Sequence, residues 1–232
     1  MDMRARAGWV SHVWKAATQQ HHISLRRIFS RYIPRDAVVF DIGAHAGQFS
    51  KLFAKMAPDG WIYAFEPSAY ARSVLEPALS WNRIRNVEVV PVGLSDAAGQ
   101  LVLTTPIKKR GGIGFGLAHL GSDVSGRSTI TQLVDLTTID LFVTENQIDR
   151  LDFIKADIEG WEYHMLRGGL GAIKTHKPAL FLEVATDSLK RAGSEPADIW
   201  NLLCSIGYRS FQSPTFDSVT EYKEPGDYLF VA

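Results

Sequence analysis

The chain has 232 residues, 46% hydrophobic and 22% charged, with 19 glycines and 10 prolines, which excludes collagen-like, coiled-coil and disordered classes and leaves a globular chain able to bury a core. Twenty-five Lys and Arg balance 25 Asp and Glu, so no overall field recruits nucleic acid. Cys204 stands alone and no apolar run approaches the roughly 20 residues of a membrane helix, so the expectation is a cytoplasmic protein without membrane insertion.

The opening stretch, residues 1–35, sets Arg4, Arg6, Lys15, Arg26, Arg27, Arg31 and Arg35 against Asp2. Trp9, Val10, Val13 and Trp14, then Leu25, Ile28, Phe29 and Tyr32, recur at helical spacing. They predict one or two amphipathic helices that pack on the main domain, residues 36–232, and close an edge of its sheet. A basic, Trp-bearing helix is also the pattern of a membrane-surface or partner contact.

From Pro34 onward strand and helix alternate. Val38 to Phe40 reads as a buried parallel strand, and Phe49, Leu52, Phe53 and Met56 form the apolar face of a helix ended by Pro58 and Gly60. Trp61 to Phe65 is the next strand. A helix follows Ser68, where Pro77 is expected to break or kink it. Val87–Val90, Leu151–Ala156, Ala179–Leu182, Tyr208–Phe211 and Tyr228–Val231 read as further strands, with helices over 161–167 and around Ile199, Leu202, Leu203 and Ile206. Strands separated by helices imply a doubly wound α/β fold, a parallel sheet covered on both faces. The exception is Thr104 to Ser128, which holds six glycines behind Lys108, Lys109 and Arg110. So long a Gly-rich connection reads as a substrate lid or a mobile excursion.

The candidate chemistry lies at the carboxyl ends of the strands, where open parallel sheets bind ligands. Asp41-Ile42-Gly43-Ala44-His45-Ala46-Gly47 joins the first strand to its helix. Glycines there let a ligand approach the backbone, but the leading acid repels a pyrophosphate and favours a cationic or hydroxyl-bearing ligand. A nicotinamide-dependent oxidoreductase, the rival enzyme class, would need further glycines in this turn. Glu66, before Pro67, ends the second strand, where an acid accepts hydrogen bonds from a ribose diol. Ser95 and Asp96 follow the third strand, from which an adenine edge is within reach, although a turn uses the same residues. Asp157, Glu159 and Glu162 crowd the end of the fourth strand and Glu183 ends the fifth. Crowded carboxylates cost stability unless something cationic or proton-donating sits among them. They suit either a general base for a substrate hydroxyl or ligands for a divalent metal, and Asp157 and Glu159 also suit a helix N-terminus.

These motifs carry a resemblance to a known family. Val39-Phe40-Asp41-Ile42-Gly43-Ala44-His45-Ala46-Gly47-Gln48-Phe49, then Phe65-Glu66-Pro67, Asn82, Asn86-Val87, Leu94-Ser95-Asp96 and Thr138-Ile139-Asp140 lead to the most specific run, Ile148 to Glu162 with Lys155-Ala156-Asp157-Ile158-Glu159-Gly160-Trp161-Glu162, and then to Leu166-Arg167-Gly168 and Leu182-Glu183. The stretch from about Val38 to Val184 resembles the FkbM family of S-adenosylmethionine-dependent methyltransferases. His45 stands where that family usually has Asn, and Ala156 where a larger acidic or branched residue is common.

The resemblance implies a seven-stranded sheet whose last strand is antiparallel, and methyl transfer to a hydroxyl oxygen of a small molecule, a sugar or a polyketide. Asp41 and the turn of Gly43, Ala44, His45 and Gly47, with Phe49, would then hold the amino-acid end of S-adenosylmethionine. Glu66 and Pro67 would lie at the ribose, and Ser95 with Asp96 at the adenine. Asp157, also near the cofactor, joins Glu159 and Glu183 as the candidates for proton removal, with His164 and His119 of suitable chemistry but ambiguous placement. A divalent metal fits the same acids. The non-enzyme alternative is a cofactor-binding module that has lost its chemistry, against which the intact acid cluster argues.

Overall fold

The computed structural model describes residues 3–106, 119–120 and 129–232. Helix α1 (Met3–Thr18) and a short 3-10 turn lead to α2 (Arg26–Phe29), β1 (Val38–Ile42), α3 (Gln48–Met56), β2 (Trp61–Phe65), α4 (Ala69–Trp81) and β3 (Val87–Val90). Strands β4 (Gly93–Leu94), β5 (Gly99–Pro106), β6 (His119–Leu120) and β7 (Thr129–Thr137) follow, then α5 (Ile139–Glu145) and β8 (Phe153–Ala156). The chain continues through α6 (Glu162–Gly168), α7 (Leu170–His176), β9 (Ala179–Val184), α8 (Thr186–Arg191) and α9 (Pro196–Ser205) to β10 (Arg209–Gln212), β11 (Asp217–Val219) and β12 (Gly226–Val231).

Among the described residues the main sheet has eight strands in the order β11-β10-β12-β9-β8-β1-β2-β3. The five from β3 to β9 are parallel, and β12 runs antiparallel between β9 and β10. The expected antiparallel last strand is therefore present. The seven-strand count is corrected by β11, a hairpin partner of β10. A second sheet, β4-β7-β5-β6, is an addition: its long β5–β7 ladder pairs Gly99 with Leu136 through Pro106 with Thr129. The expected lid at 104–128 thus begins inside β5. Apart from the β6 pair, its residues beyond Pro106 lie outside the described ones.

Alternation along the strands divides the core. Phe40, Ile42, Ile154, Leu180 and Leu182 face one apolar layer with Met165, Leu166, Leu203 and Tyr228. Val39, Phe153, Ala179 and Phe181 face another with Leu52, Phe53 and Phe29. Helix α4 runs through Pro77 to Trp81 rather than breaking there, and Ser68 caps it by accepting from the Ala71 amide at 3.3 Å.

The N-terminal stretch belongs to this core. Fully buried Phe29 packs against Phe153 and Phe181 with ring centroids 5.0 and 4.9 Å away. Helix α1 lies on α4, where Ala16 and Ala17 share an apolar cluster with Val74, Ala78 and Ala46, and Trp9 donates to Ser73 Oγ at 3.0 Å. Phe29→Ala is expected to destabilise the protein by about 3–5 kcal/mol, read as a lowered urea midpoint at unchanged slope. A change under about 1 kcal/mol would make residues 1–35 an appendage instead.

Candidate functional site

The sheet geometry explains why the acids meet. In the parallel β1–β8 pair Asp41 is in register with Lys155, and in the β9–β12 pair Glu183 is in register with Asp227. In-register side chains share a face, so all four stand on the α3 side at the carboxyl edge. Buried Lys155 places Nζ 3.6 Å from Asp41 Oδ1 and 4.0 Å from Asp157 Oδ2, and donates to the carbonyls of Ile42 at 3.2 Å and Gly43 at 2.9 Å. Lys155 and Asp227 had no role in the expectations above. Register exposes them, whereas their spacing in the sequence does not.

The turn after β1 needs unusual backbone. Gly43, His45 and Gly47 all have positive φ, and a Cβ on Gly43 would sit 2.0 Å from the Asp157 carbonyl oxygen. Glycine is therefore required where the turn crosses the end of β8. Glu66 closes the turn from the other side: Oε2 accepts from the His45 amide at 2.7 Å and Oε1 from the Ser68 amide at 2.8 Å. Burial pushes the Glu66 carboxyl above its ordinary range, against the pull of those two amides. Burial, and then Lys155, pushes the His45 imidazole down to about 4, which leaves it neutral.

A cleft of about 370 Å³ opens over this turn, within the range of small-molecule sites. It runs from Glu66, Pro67, Val92, Gly93 and Leu94 across Gly43 to His45 and Phe49, and on to Lys155, Asp157, Glu159 and Glu183. Gly43, Ala44, His45, Phe49, Glu66, Pro67, Asp157, Glu159 and Glu183 are thus brought together. Asp41 is fully buried beneath the turn instead, outside the lining, with Oδ2 accepting from Ser50 Oγ at 2.5 Å. Burial raises the Asp41 carboxyl against Lys155 and Ser50. Gly47, also outside the lining, is the residue that precedes α3 at its N-terminus.

Ser95 and Asp96 turn toward α6, away from the cleft lining. Ser95 Oγ accepts from Trp161 Nε1 at 3.0 Å, and Asp96 Oδ2 lies 3.3 Å from Arg167 and 3.4 Å from His164 Nδ1. His164, whose Nε2 is 2.9 Å from the Ala192 carbonyl, is held outside the cleft. His119 belongs to β6, and its side chain lies outside the described residues.

The acids split in protonation. Burial raises Glu183 to about 9, and the negative charge of Asp157 and its hydrogen bond to that carboxylate add to the effect. Burial also works upward on Asp157, but Lys155 and the Glu183 hydrogen bond hold it below the ordinary value. At neutral pH Glu183 is therefore the protonated partner of an ionised Asp157, and the two act as one coupled pair. Asp227, raised first by burial and then by Asp157, joins the group. Glu159 has φ +55 and stands 3.9 Å from Arg191. Among the described residues, no group of three or more His, Cys, Asp or Glu side chains is arranged to hold a metal ion.

The sequence model for the methyltransferase FkbM domain matches residues 41–210, from the Asp41 turn through the Lys155–Glu162 edge to β10. The chain belongs to the FkbM methyltransferase family. Two curated relatives are similar over part of their length. Methyltransferase sdnD of Sordaria araneosa is 26% identical over 159 residues, 59% of this chain and 61% of sdnD. AMB antimetabolite synthetase AmbE of Pseudomonas aeruginosa is 41% identical over 85 residues, 35% of this chain and 4% of AmbE. The chain therefore spans less than two thirds of either relative. The crystal structure of methyltransferase FkbM from Methylobacillus flagellatus superposes with a TM-score of 0.57 at 16% identity, covering 96% of this chain and 58% of that one. SMU.1697c from Streptococcus mutans, solved in complex with SAH, gives 0.51 at 11% identity over 92% and 98%. These structural likenesses show a shared fold, and the family model begins at Asp41.

Glu162, 1% exposed, has one oxygen satisfied by the Ile158 amide at 2.9 Å and the other without a hydrogen-bond partner. Burial raises its carboxyl from 4.5 to about 7. Between those values the unfolded chain releases a proton that the folded chain keeps, so stability present below pH 4.5 is lost as pH rises through 7. Glu162→Gln, which keeps the acceptor for Ile158, is expected to flatten that fall by a few kcal/mol. Urea unfolding at pH 5 and pH 8 checks it: an unchanged difference between the two pH values would exclude Glu162 as the titrating group.

Proposed function

We propose that this chain is an S-adenosylmethionine-dependent O-methyltransferase acting on a hydroxyl of a small molecule or sugar. The observation that carries the reading is the continuity of one cleft. It has a glycine turn as its floor, the Glu66 carboxylate at one end, and the Asp157, Glu159 and Glu183 carboxyls at the other.

The residues fit the cofactor. Each Glu66 oxygen accepts one backbone amide, and a carboxylate oxygen keeps a further lone pair for a ribose hydroxyl. Val92, Gly93 and Leu94 offer an apolar end for the adenine, and the turn with Lys155 and the acids frames the zwitterionic amino-acid end. S-adenosylmethionine supplies a methyl group already activated on a sulfonium.

The protein then aligns the acceptor oxygen, excludes water and takes a proton. Asp157 accepts the hydrogen bond of the incoming hydroxyl. A hydroxyl gains acidity steeply as its oxygen forms a bond to carbon, so even a carboxylate held low by Lys155 can receive the proton in the transition state. Protonated Glu183 donates to Asp157 and fixes which of its oxygens faces the acceptor. Glu159 and Asp227 keep this end of the cleft negative, which favours the sulfonium.

Calorimetric titration with S-adenosylmethionine, S-adenosylhomocysteine and NAD tests the cofactor. Micromolar binding of the sulfur nucleotides, weakened at least tenfold by Glu66→Ala, is expected, while preference for NAD would return the chain to the dehydrogenase reading. With a hydroxyl acceptor and saturating cofactor, Asp157→Asn is expected to lower kcat by about 10²–10⁴. Full retained turnover would remove Asp157 from the proton transfer.

A further inference from the structure

One wall of the cleft comes from outside the segment that the family model matches. His22 lines it, 19 residues before the matched segment begins at Asp41. The strap that carries His22 is fastened to α3. Buried Lys51 donates to the carbonyls of Ala16 and Gln19, the latter at 2.7 Å. Gln20 Nε2 donates to the Gln48 carbonyl at 2.9 Å, and Gln48 Oε1 accepts from the His21 amide at 3.0 Å. His22 itself takes a left-handed backbone, φ 59, and stacks its ring on Phe49 with centroids 4.4 Å apart and planes 18° from parallel. Lys155 Nζ lies 5.2 Å from the centroid of the same Phe49 ring. The imidazole is therefore exposed yet positioned.

This corner differs chemically from the rest of the cleft. It offers an imidazole N–H, the Lys155 ammonium and the first residues of α3, Gln48 and Phe49, whose amides have no carbonyl within the helix to bond. Asp157, Glu159 and Glu183 line the acid end. An α-amino acid group carries both a carboxylate and an ammonium, and the two regions sort them: the carboxylate goes to the donors and the ammonium to the acids.

We propose that His22 binds the carboxylate at the amino-acid end of S-adenosylmethionine, with Lys155 supplying the balancing charge, so that the N-terminal strap is part of the cofactor site. The proposal rests on the methyltransferase reading above. Burial, and then His21 and Lys155, hold the His22 imidazole below its ordinary value, with Asp157 acting in the opposite sense. At neutral pH it is then an uncharged N–H donor.

The test compares two ligands with the same nucleoside. S-adenosylhomocysteine carries the amino-acid group, and 5′-methylthioadenosine lacks it. Each is titrated calorimetrically into the full chain, His22→Ala and His22→Gln. The wild type is expected to prefer S-adenosylhomocysteine. His22→Ala should weaken that ligand by about tenfold, the worth of a charge-assisted hydrogen bond, with 5′-methylthioadenosine unchanged within twofold. His22→Gln, which keeps an N–H donor, should recover part of the loss. An unchanged affinity for S-adenosylhomocysteine, or an equal loss for both ligands, overturns the role of His22 while leaving the methyltransferase reading intact. Failure of the wild type to bind either ligand overturns that reading, and this proposal with it.

Discussion

The ammonium of Lys155 sits where two parallel strands end, and the carboxyl edge is arranged around it. The Gly43 carbonyl leaves the sheet ladder as the backbone turns, and carbonyls shielded from water need donors. Lys155 supplies one for Gly43, and a second for Ile42 beside the Asp157 amide at 3.2 Å. From the same point its charge opposes the burial that raises Asp41, keeps Asp157 ionised and disfavours the charged form of His45. Replacing a buried ion pair with apolar residues is often neutral or stabilising, but removing one partner alone is costly. The Lys155–Asp41 contact is thus better understood as a device for geometry and charge than as a source of stability.

The remaining acids carry a cost that the core must offset. Glu162 and Glu183 fold as carboxylic acids pushed well above their ordinary range, and Glu159 and Gly160 take positive φ at the tight passage from β8 to α6. A Cβ on Gly160 would lie 2.2 Å from the Ser188 carbonyl oxygen, so the passage is pinned against α8. Local strain and mutually repelling groups concentrated at one strand end are expected where a site, rather than packing, dictates the residues.

The N-terminal stretch joins these two features. Phe29 enters the aromatic layer beneath β8 and β9, and Ala16 and Ala17 press on Ala46 of the glycine turn. Lys51 ties the end of α1 to α3, and its ammonium, lowered by burial to about 8, meets carbonyls that a helix leaves unpaired at its C-terminus. The turn is therefore supported from behind by an element outside the family-matched segment.

The parallel α/β sheet, the glycine turn, Glu66 and the acids at the strand ends are legible in the sequence, because period-two and period-3.6 patterns and turn residues act over neighbours in the chain. The sequence also carried the family, through a motif dense enough to be specific. Tertiary structure alone decided the rest. The second sheet was hidden because its Thr-rich strands leave Val102, Ile130 and Leu133 exposed. Only register brings Lys155 to Asp41 and Asp227 to Glu183. Only packing sends Asp41 beneath the turn, commits Ser95 and Asp96 to α6, and carries His22 to the cleft. Strand pairing and helix docking join residues far apart in the chain, and no local pattern encodes which face of one element meets another.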